Sequence, residues 1–332
     1  MSTVAVTGAG GFIGSWIVRI LLDRGYQVRA AVRDPHDELK LAHLKQLPGA
    51  PDRLTTVKLD LSSSSAIEAS VQGCDGVFHV ACAMAAKLTR DPHAEIVQPI
   101  VDGTVNLMRA CSSAGVTRVV LTSTIGTMYL DPSRGDSAPI DEQCWSSLEF
   151  MEETGEWYCL GKTLAESAAW QISRKSELDL VVINPCVTLG PVLQPWQNAS
   201  SSHILRLINT KFERYLNRSQ AYVDVRDVAL AHVEAFERQG ARGRYLCAES
   251  SLHRAELIDV LREVVPPEVA ARLPSKMVTG GERAARFVIS TEKIRRELGL
   301  KFRPLKECLK DSVESYRDKG LLVFPRASPA LA

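Results

Sequence analysis

The sequence predicts an α/β fold: a doubly wound, mostly parallel sheet with a smaller, interleaved C-terminal region. Three observations predict it. Short β-branched runs alternate with amphipathic stretches through the first half of the chain, which implies parallel strands covered by helices on both faces. A glycine-rich turn links the first strand to the first helix. Past Asn184-Pro185 the alternation breaks up, then resumes over residues 220–235.

Residues 3–6, 27–32, 54–59, 76–80, 118–122 and 179–183 read as strands, and 13–24, 37–47, 64–71, 99–113 and 157–176 as helices. Gly25 and Gly115 stand where helix ends favour a left-handed residue. Residues 186–218 read as loops rich in Pro, Gln, Asn and Ser; 244–247 reads as another strand, and the remainder as mainly helical to about Lys319. The expected division is therefore 1–185 with about 219–248 as one region, 186–218 with 249–322 as the second, and 323–332 as a flexible tail.

Composition excludes several classes. Of the 332 residues, 45% are hydrophobic and 24% charged, the mix of an ordinary globular protein. Forty basic against thirty-nine acidic residues leave a net charge of +1, which gives no global field for nucleic acid. No apolar run approaches the ~18 residues of a membrane span, and no signal peptide opens the chain, so a cytoplasmic protein is expected. Eight cysteines without a C-x-x-C pair suggest buried thiols, neither a disulfide scaffold nor a metal site. The Asn198-Ala199-Ser200 and Asn217-Arg218-Ser219 glycosylation patterns are expected to be accidental.

The first strand runs into Thr7-Gly8-Ala9-Gly10-Gly11-Phe12-Ile13-Gly14. Glycines at 8, 11 and 14 permit a tight turn, close approach to a pyrophosphate and tight helix–strand packing, while Phe12 and Ile13 open a helix whose free N–H groups face the phosphates. A lone glycine pattern is weak; its place between a strand and a helix makes this a dinucleotide site of the Rossmann type. The second strand ends at Arg33, where an NAD enzyme usually carries a carboxylate. Arg33, with Lys40 as a second cation, suits the 2′-phosphate of NADP(H), provided that Asp34 faces solvent.

Tyr158 and Lys162 form a Tyr-x-x-x-Lys pair, which a helix places on one face. A neighbouring ammonium lowers the phenol's pKa from ~10 and makes Tyr158 a competent proton donor. A hydroxyl to orient the substrate oxygen comes from the end of the fifth strand, Leu121-Thr122-Ser123-Thr124, with Ser123 preferred and Thr124 the nearest competitor.

These motifs together resemble the extended short-chain dehydrogenase/reductases. The stretches at 123–132, 141–145, 157–162, 184–191 and 221–229 narrow the resemblance to the plant cinnamoyl-CoA reductases, with dihydroflavonol reductases as relatives, over about residues 3–321. The resemblance implies NADPH-dependent reduction of a hydroxycinnamoyl-CoA thioester to the aldehyde, with Ser123, Tyr158 and Lys162 catalytic. It further implies that Asp60-Leu61 meets the adenine, that Val80-Ala81 and Thr122 run along the cofactor, and that Pro185 and Val187 pack the nicotinamide. Lys162 would also hold the ribose. For substrate it implies Thr124 and Thr154 near the acyl group, and His203, Arg206 and Arg254 for CoA, with Lys211 and Arg214 following on the same segment. The partners expected are that ester alone, with neither nucleic acid nor membrane, in a monomer or weak dimer. The chain departs from the family at Glu156, Leu160 and Lys310, and spaces Arg33 and Lys40 one residue wider. Reduction of a ketone or aldehyde, and a catalytically silent NADP-binding regulator, are the competing readings.

Overall fold

A computed structural model describes residues 2–83, 89–135, 137–210, 212–278 and 281–322. The expected tail at 323–332 and Lys211 lie outside the described residues. The strands are β1 (Thr3–Thr7), β2 (Gln27–Val32), β3 (Leu54–Lys58), β4 (Gly76–His79), β5 (Arg118–Thr122), β6 (Asp179–Pro185), β7 (Val187–Leu189), β8 (Arg214–Tyr215), β9 (Ser219–Asp224), β10 (Gly243–Cys247), β11 (Ser250–His253) and β12 (Lys276–Met277). The α-helices of the first half are α1 (Phe12–Asp23), α2 (Glu38–Lys45), α3 (Ala50–Arg53), α4 (Ser64–Val71), α5 (Gln98–Ser113), α6 (Leu148–Thr154) and α7 (Trp157–Ser176). Those of the second are α8 (Ala199–Asn209), α9 (Val225–Glu237), α10 (Arg254–Val264), α11 (Pro267–Ala270), α12 (Glu292–Leu298) and α13 (Leu305–Asp318).

Seven strands form one parallel sheet in the order β10-β6-β5-β4-β1-β2-β3. Its central strands are buried apart from the first residues of β1, β5 and β6, as a sheet with helices on both faces requires. Two apolar cores result. One holds Ile17, Leu21 and Leu22 of α1 with Val228 and Ala229 of α9; the other holds Ile67 of α4, Leu107 and Met108 of α5 and Ala169 of α7. The strand order reverses between β1 and β4, and the carboxyl ends there form the crevice in which such sheets bind ligands.

The second region is built on a three-stranded sheet, β11-β9-β7, with β9 parallel to β7 and antiparallel to β11. Two expectations need correction here. The stretch read as loop contains α8, started by a capping box between Asn198 and Ser201 and held by buried Ile204, Leu205, Leu207 and Ile208. The stretch after α10, read as helical, instead holds the one-turn α11, the short β12 beside β8, and irregular chain up to α12. Both asparagines of the glycosylation patterns are occupied: Asn198 caps α8, and Asn217 accepts from Ala284 N and donates to the Glu282 carbonyl. All eight cysteines are free. Among the described residues no helix is long and apolar enough to cross a membrane, and no His, Cys, Asp and Glu cluster could hold a metal ion.

Candidate active site

The glycine turn sits at the carboxyl end of β1. Gly8 adopts φ +66°, a conformation only glycine takes without strain, and its N–H donates to the Ala31 carbonyl. A Cβ on Gly14 would lie 2.3 Å from the Gly8 carbonyl oxygen, and one on Gly8 would press to 3.0 Å from the Ala81 nitrogen. Helix α1 begins at Gly11 with no side-chain cap and no acidic residue in its first turn, so the amides of its first turn, Phe12 and Ile13 among them, face outward without an internal anion. The turn thus fits a dinucleotide diphosphate.

Thr7 lies behind this cradle. Its hydroxyl accepts from Val80 N and Ala81 N, both at 3.0 Å, and meets His79 Nδ1 at 2.9 Å. Fully buried, it fixes the ends of β1 and β4 against one another and has no capacity left for a cofactor. Thr7, which the sequence places in the cofactor turn, supports that turn through Val80 and Ala81. His79 is neutral, its pKa pulled down to about 3 by burial and then by the Lys162 charge.

Beyond β2, Arg33 is exposed, and no hydrogen bond or ion pair ties its guanidinium to the described residues. Asp34 turns its carboxylate onto its own loop, where Oδ1 accepts from His36 N at 2.9 Å. Lys40 pairs with Asp37, the cap of α2, at 2.6 Å, and this pairing raises the ammonium's pKa. Past β3, Asp60 accepts from the backbone and hydroxyl of Ser62, which hold its carboxyl below the usual range. Leu61 packs across Gly103 of α5. On the far side, Pro185 ends β6 beside Cys247, and half-buried Val187 pairs with Tyr222.

Tyr158 and Lys162 occupy the first turns of α7. Lys162 is 5% exposed and donates to the Thr122 carbonyl at 2.9 Å, which fixes it at the end of β5. The Thr122 hydroxyl itself is committed to His232 Nε2 at 2.7 Å. Tyr158 is 40% exposed as a whole, while its phenol end sits among Cys82 and Cys159, and burial pushes its pKa up. The phenol therefore carries its proton at neutral pH, and among the described residues it makes no hydrogen bond.

The two hydroxyls after β5 face opposite ways, as successive residues of an extended chain must. Ser123, 3% exposed, donates to Glu166 Oε2 at 2.5 Å. Thr124, extended at φ −160°, accepts from Gly126 N and gives its own proton to nothing among the described residues. Its Cγ2 and the Cys159 sulfur both crowd the position where a Cβ on Gly126 would stand, so Thr124 borders the Tyr158–Cys159 turn. Ser123, preferred from the sequence, has its proton spent inside the protein; Thr124 is the hydroxyl available.

A cationic cluster forms between α8, β9 and α10. Arg254 is 7% exposed and reaches His203 Nε2 at 2.7 Å and Gln220 at 2.9 Å. Burial, then Arg254, Arg218 and Arg206, pull the His203 pKa down to about 3, so the ring is neutral. Arg206 is exposed, its guanidinium 6.0 Å from the Phe212 ring. Arg218, exposed just before β9, joins them; in the sequence it stands inside a glycosylation pattern, with nothing to mark it as a site residue. No carboxylate pairs with Arg206, Arg218 or Arg254 among the described residues. Burial, then Cys159 and Glu156, raise the Tyr129 phenol's pKa against the opposing Arg218 charge, and the Phe287 ring lies 5.0 Å away.

Thr154 and two of the departures from the family pattern have defined surroundings. Thr154 is exposed and donates to the Phe150 carbonyl at 2.6 Å, closing its own helix. Leu160 is 2% exposed in a small core with Val97 and Met151. Lys310 lines a shallow groove with Glu263, Glu307 and Glu314, outside the crevice.

Comparison with known proteins places these features in context. Residues 4–248 match the model of the NAD dependent epimerase/dehydratase family. The chain is 47% identical to cinnamoyl-CoA reductase 2 of Medicago truncatula, over 97% of this chain and 94% of that one. It is also 47% identical to cinnamoyl-CoA reductase 1 of Arabidopsis thaliana, over 96% and 90%. The structure of a yeast methylglyoxal/isovaleraldehyde reductase complexed with NADPH superposes with a TM-score of 0.83 at 26% identity, over 96% of this chain and 99% of that one.

Proposed function

This chain belongs to the NAD dependent epimerase/dehydratase family, and on that premise we propose that it reduces a hydroxycinnamoyl-CoA thioester to the aldehyde with NADPH, releasing CoA. The cation cluster around neutral His203 carries the choice of a thioester. A CoA ester brings several phosphates, and Arg206, Arg218 and Arg254 supply positive charge that no carboxylate among the described residues neutralises. Tyr129 and Phe287, whose rings pack 5.0 Å apart, would offer an aromatic surface to the phenolic acyl group.

The Gly8–Gly14 turn would hold the NADPH diphosphate, with Arg33 for the 2′-phosphate, Lys40 nearby, Asp60 and Leu61 for the adenine end, and Pro185 and Val187 for the nicotinamide end. When bound, NADPH supplies the hydride. The chain's own residues manage the oxygen and the proton. Tyr158 Oη and Thr124 Oγ1 donate to the thioester oxygen and hold the negative charge that develops there; one such donor contributes about 3 kcal/mol in a dry site. Lys162, anchored on Thr122, stands one helical turn from Tyr158 on the same face of α7. Tyr158 gives its proton to the thioester oxygen as the hydride adds. On collapse the hydroxyl returns the proton to the Tyr158 phenolate, and the carbonyl re-forms as the carbon–sulfur bond breaks. CoA leaves as the thiolate, which takes up a proton from solvent.

The test is to mix the protein with feruloyl-CoA and NADPH, following absorbance loss and free thiol together. One thiol per NADPH is expected, and Tyr158→Phe should cut kcat by about 10²- to 10⁴-fold without weakening NADPH binding. NADPH consumed with aldehydes or flavonoid ketones but not with the thioester would move the reading to a carbonyl reductase.

A further inference from the structure

We propose that the buried pair Glu166–Arg244 is a positioning device for this reaction: it clamps the backbone on both sides of Thr124 and so aims that hydroxyl at the oxygen Tyr158 protonates. The inference rests on the reductase reading above, and it assigns work to two residues that touch neither cofactor nor substrate.

Glu166 lies one turn beyond Lys162 on α7, with its side chain wholly buried. Oε2 accepts from Ser123 Oγ at 2.5 Å and from Asn184 Nδ2 at 3.1 Å; Oε1 accepts from Arg244 Nε at 2.6 Å and faces Trp170 Nε1 at 3.5 Å. Arg244, 6% exposed on β10, spends its remaining donors on Thr127 Oγ1 at 2.7 Å and on the carbonyls of Cys144 and Glu142. The Thr127 hydroxyl lies 3.0 Å from the Thr124 carbonyl and 3.1 Å from Glu166 Oε2, with one proton to share between them. Asn184 adds a bond at 3.3 Å to the same Thr124 carbonyl. Thr124 is thus held from Ser123 before it, from Thr127 after it and by its own carbonyl, and every one of these ties leads back to a single carboxylate.

Burying a carboxylate and a guanidinium costs several kcal/mol each before their attraction is counted, and apolar replacements of such pairs are often neutral for stability. Folding alone is a weak reason for this pair. What it provides is a rigid joint between α7, which carries Tyr158 and Lys162, and the turn that carries Thr124. A misplacement of about 1 Å at such a joint can cost two orders of magnitude in rate.

The test is a double-mutant cycle. Glu166→Gln keeps the shape but sets an amide N–H against the donors of Ser123 and Asn184. The expected result is a fall in kcat of about 10- to 100-fold, NADPH affinity within twofold of the unmodified chain, and a much smaller fall when the same substitution is made in Thr124→Val. Equal factors in both backgrounds, or a folded Glu166→Gln protein with kcat within twofold of the original, would overturn the inference. Should Glu166→Gln not fold, Thr127→Val, which removes the bridging hydroxyl at nearly constant shape, decides by the same cycle. Turnover of feruloyl-CoA by the unmodified chain is measured first. Its absence would reject the substrate reading alone, and the cycle would then be run on whichever aldehyde or ketone the chain reduces.

Discussion

Ser123 and Glu166 share a hydrogen bond of 2.5 Å in the interior, 43 residues apart in sequence, and that bond takes the serine out of the crevice. Two adjacent hydroxyls thereby acquire different duties. Thr124→Val should lower kcat by about 10²-fold, the range for losing one oxyanion donor, while Thr124→Ser should retain most activity. Ser123→Ala should cost about 1–3 kcal/mol of stability by leaving a buried carboxylate short of a donor, and, with one tie to Thr124 lost, lower kcat less than Thr124→Val does. Steady-state kinetics and thermal melts on the three variants separate these effects. A collapse of kcat in Ser123→Ala at unchanged melting temperature would return the role to Ser123.

Cofactor choice is predicted to rest on Arg33. Arg33→Gln should raise the KM for NADPH by about 10-fold or more, the equivalent of a lost charge-assisted pair, and leave the KM for NADH unmoved. Asp34→Ala should change neither, because that carboxylate already serves His36 N. Parallel kinetics with the two cofactors check both; a swing toward NADPH in Asp34→Ala would mean that the carboxylate faces the ribose.

Acid should weaken the fold before ordinary carboxylates titrate. His79, His203 and His232 are held neutral, with pKa values lowered to about 3, 3 and 4, chiefly by burial. An unfolded histidine takes a proton below about 6.5. Stability is therefore complete above that value and falls as the pH drops from it toward the folded values, by up to about 1.4 kcal/mol per histidine per pH unit. Denaturant midpoints measured at pH 7.5, 6.5 and 5.5 test the sign. A flat profile across the last interval would mean that these rings are charged or solvated in the folded chain.

Some of this was legible in the sequence because it is local. The glycine turn declares itself since each of its positions answers to backbone geometry within a few residues, and Tyr158 and Lys162 follow from one helical repeat. The choice between Ser123 and Thr124 was not legible: β5 is buried on both faces, so no alternation of polar and apolar residues marks which side leads to the crevice. Glu166 and Arg244 meet across 78 residues, and no spacing rule joins them. Helix α8 was missed because its opening Asn-Ala-Ser-Ser-Ser favours turns as readily as helix starts, and only the run from Ile204 to Ile208 discloses the buried face. Arg218 hid inside a pattern that pointed to a different chemistry.

The main polypeptide path leaves the large sheet at Pro185, enters the small one at Val187, comes back along α9 and β10, and departs again through β11. Severing any one of these passages would not free an intact half, because each layer borrows strands from both sides of the cut. Clipping the backbone between α9 and β10 should accordingly cost cofactor and acyl-group recognition in the same stroke, and grafting the acyl-recognition half onto another reductase would require several simultaneous junctions.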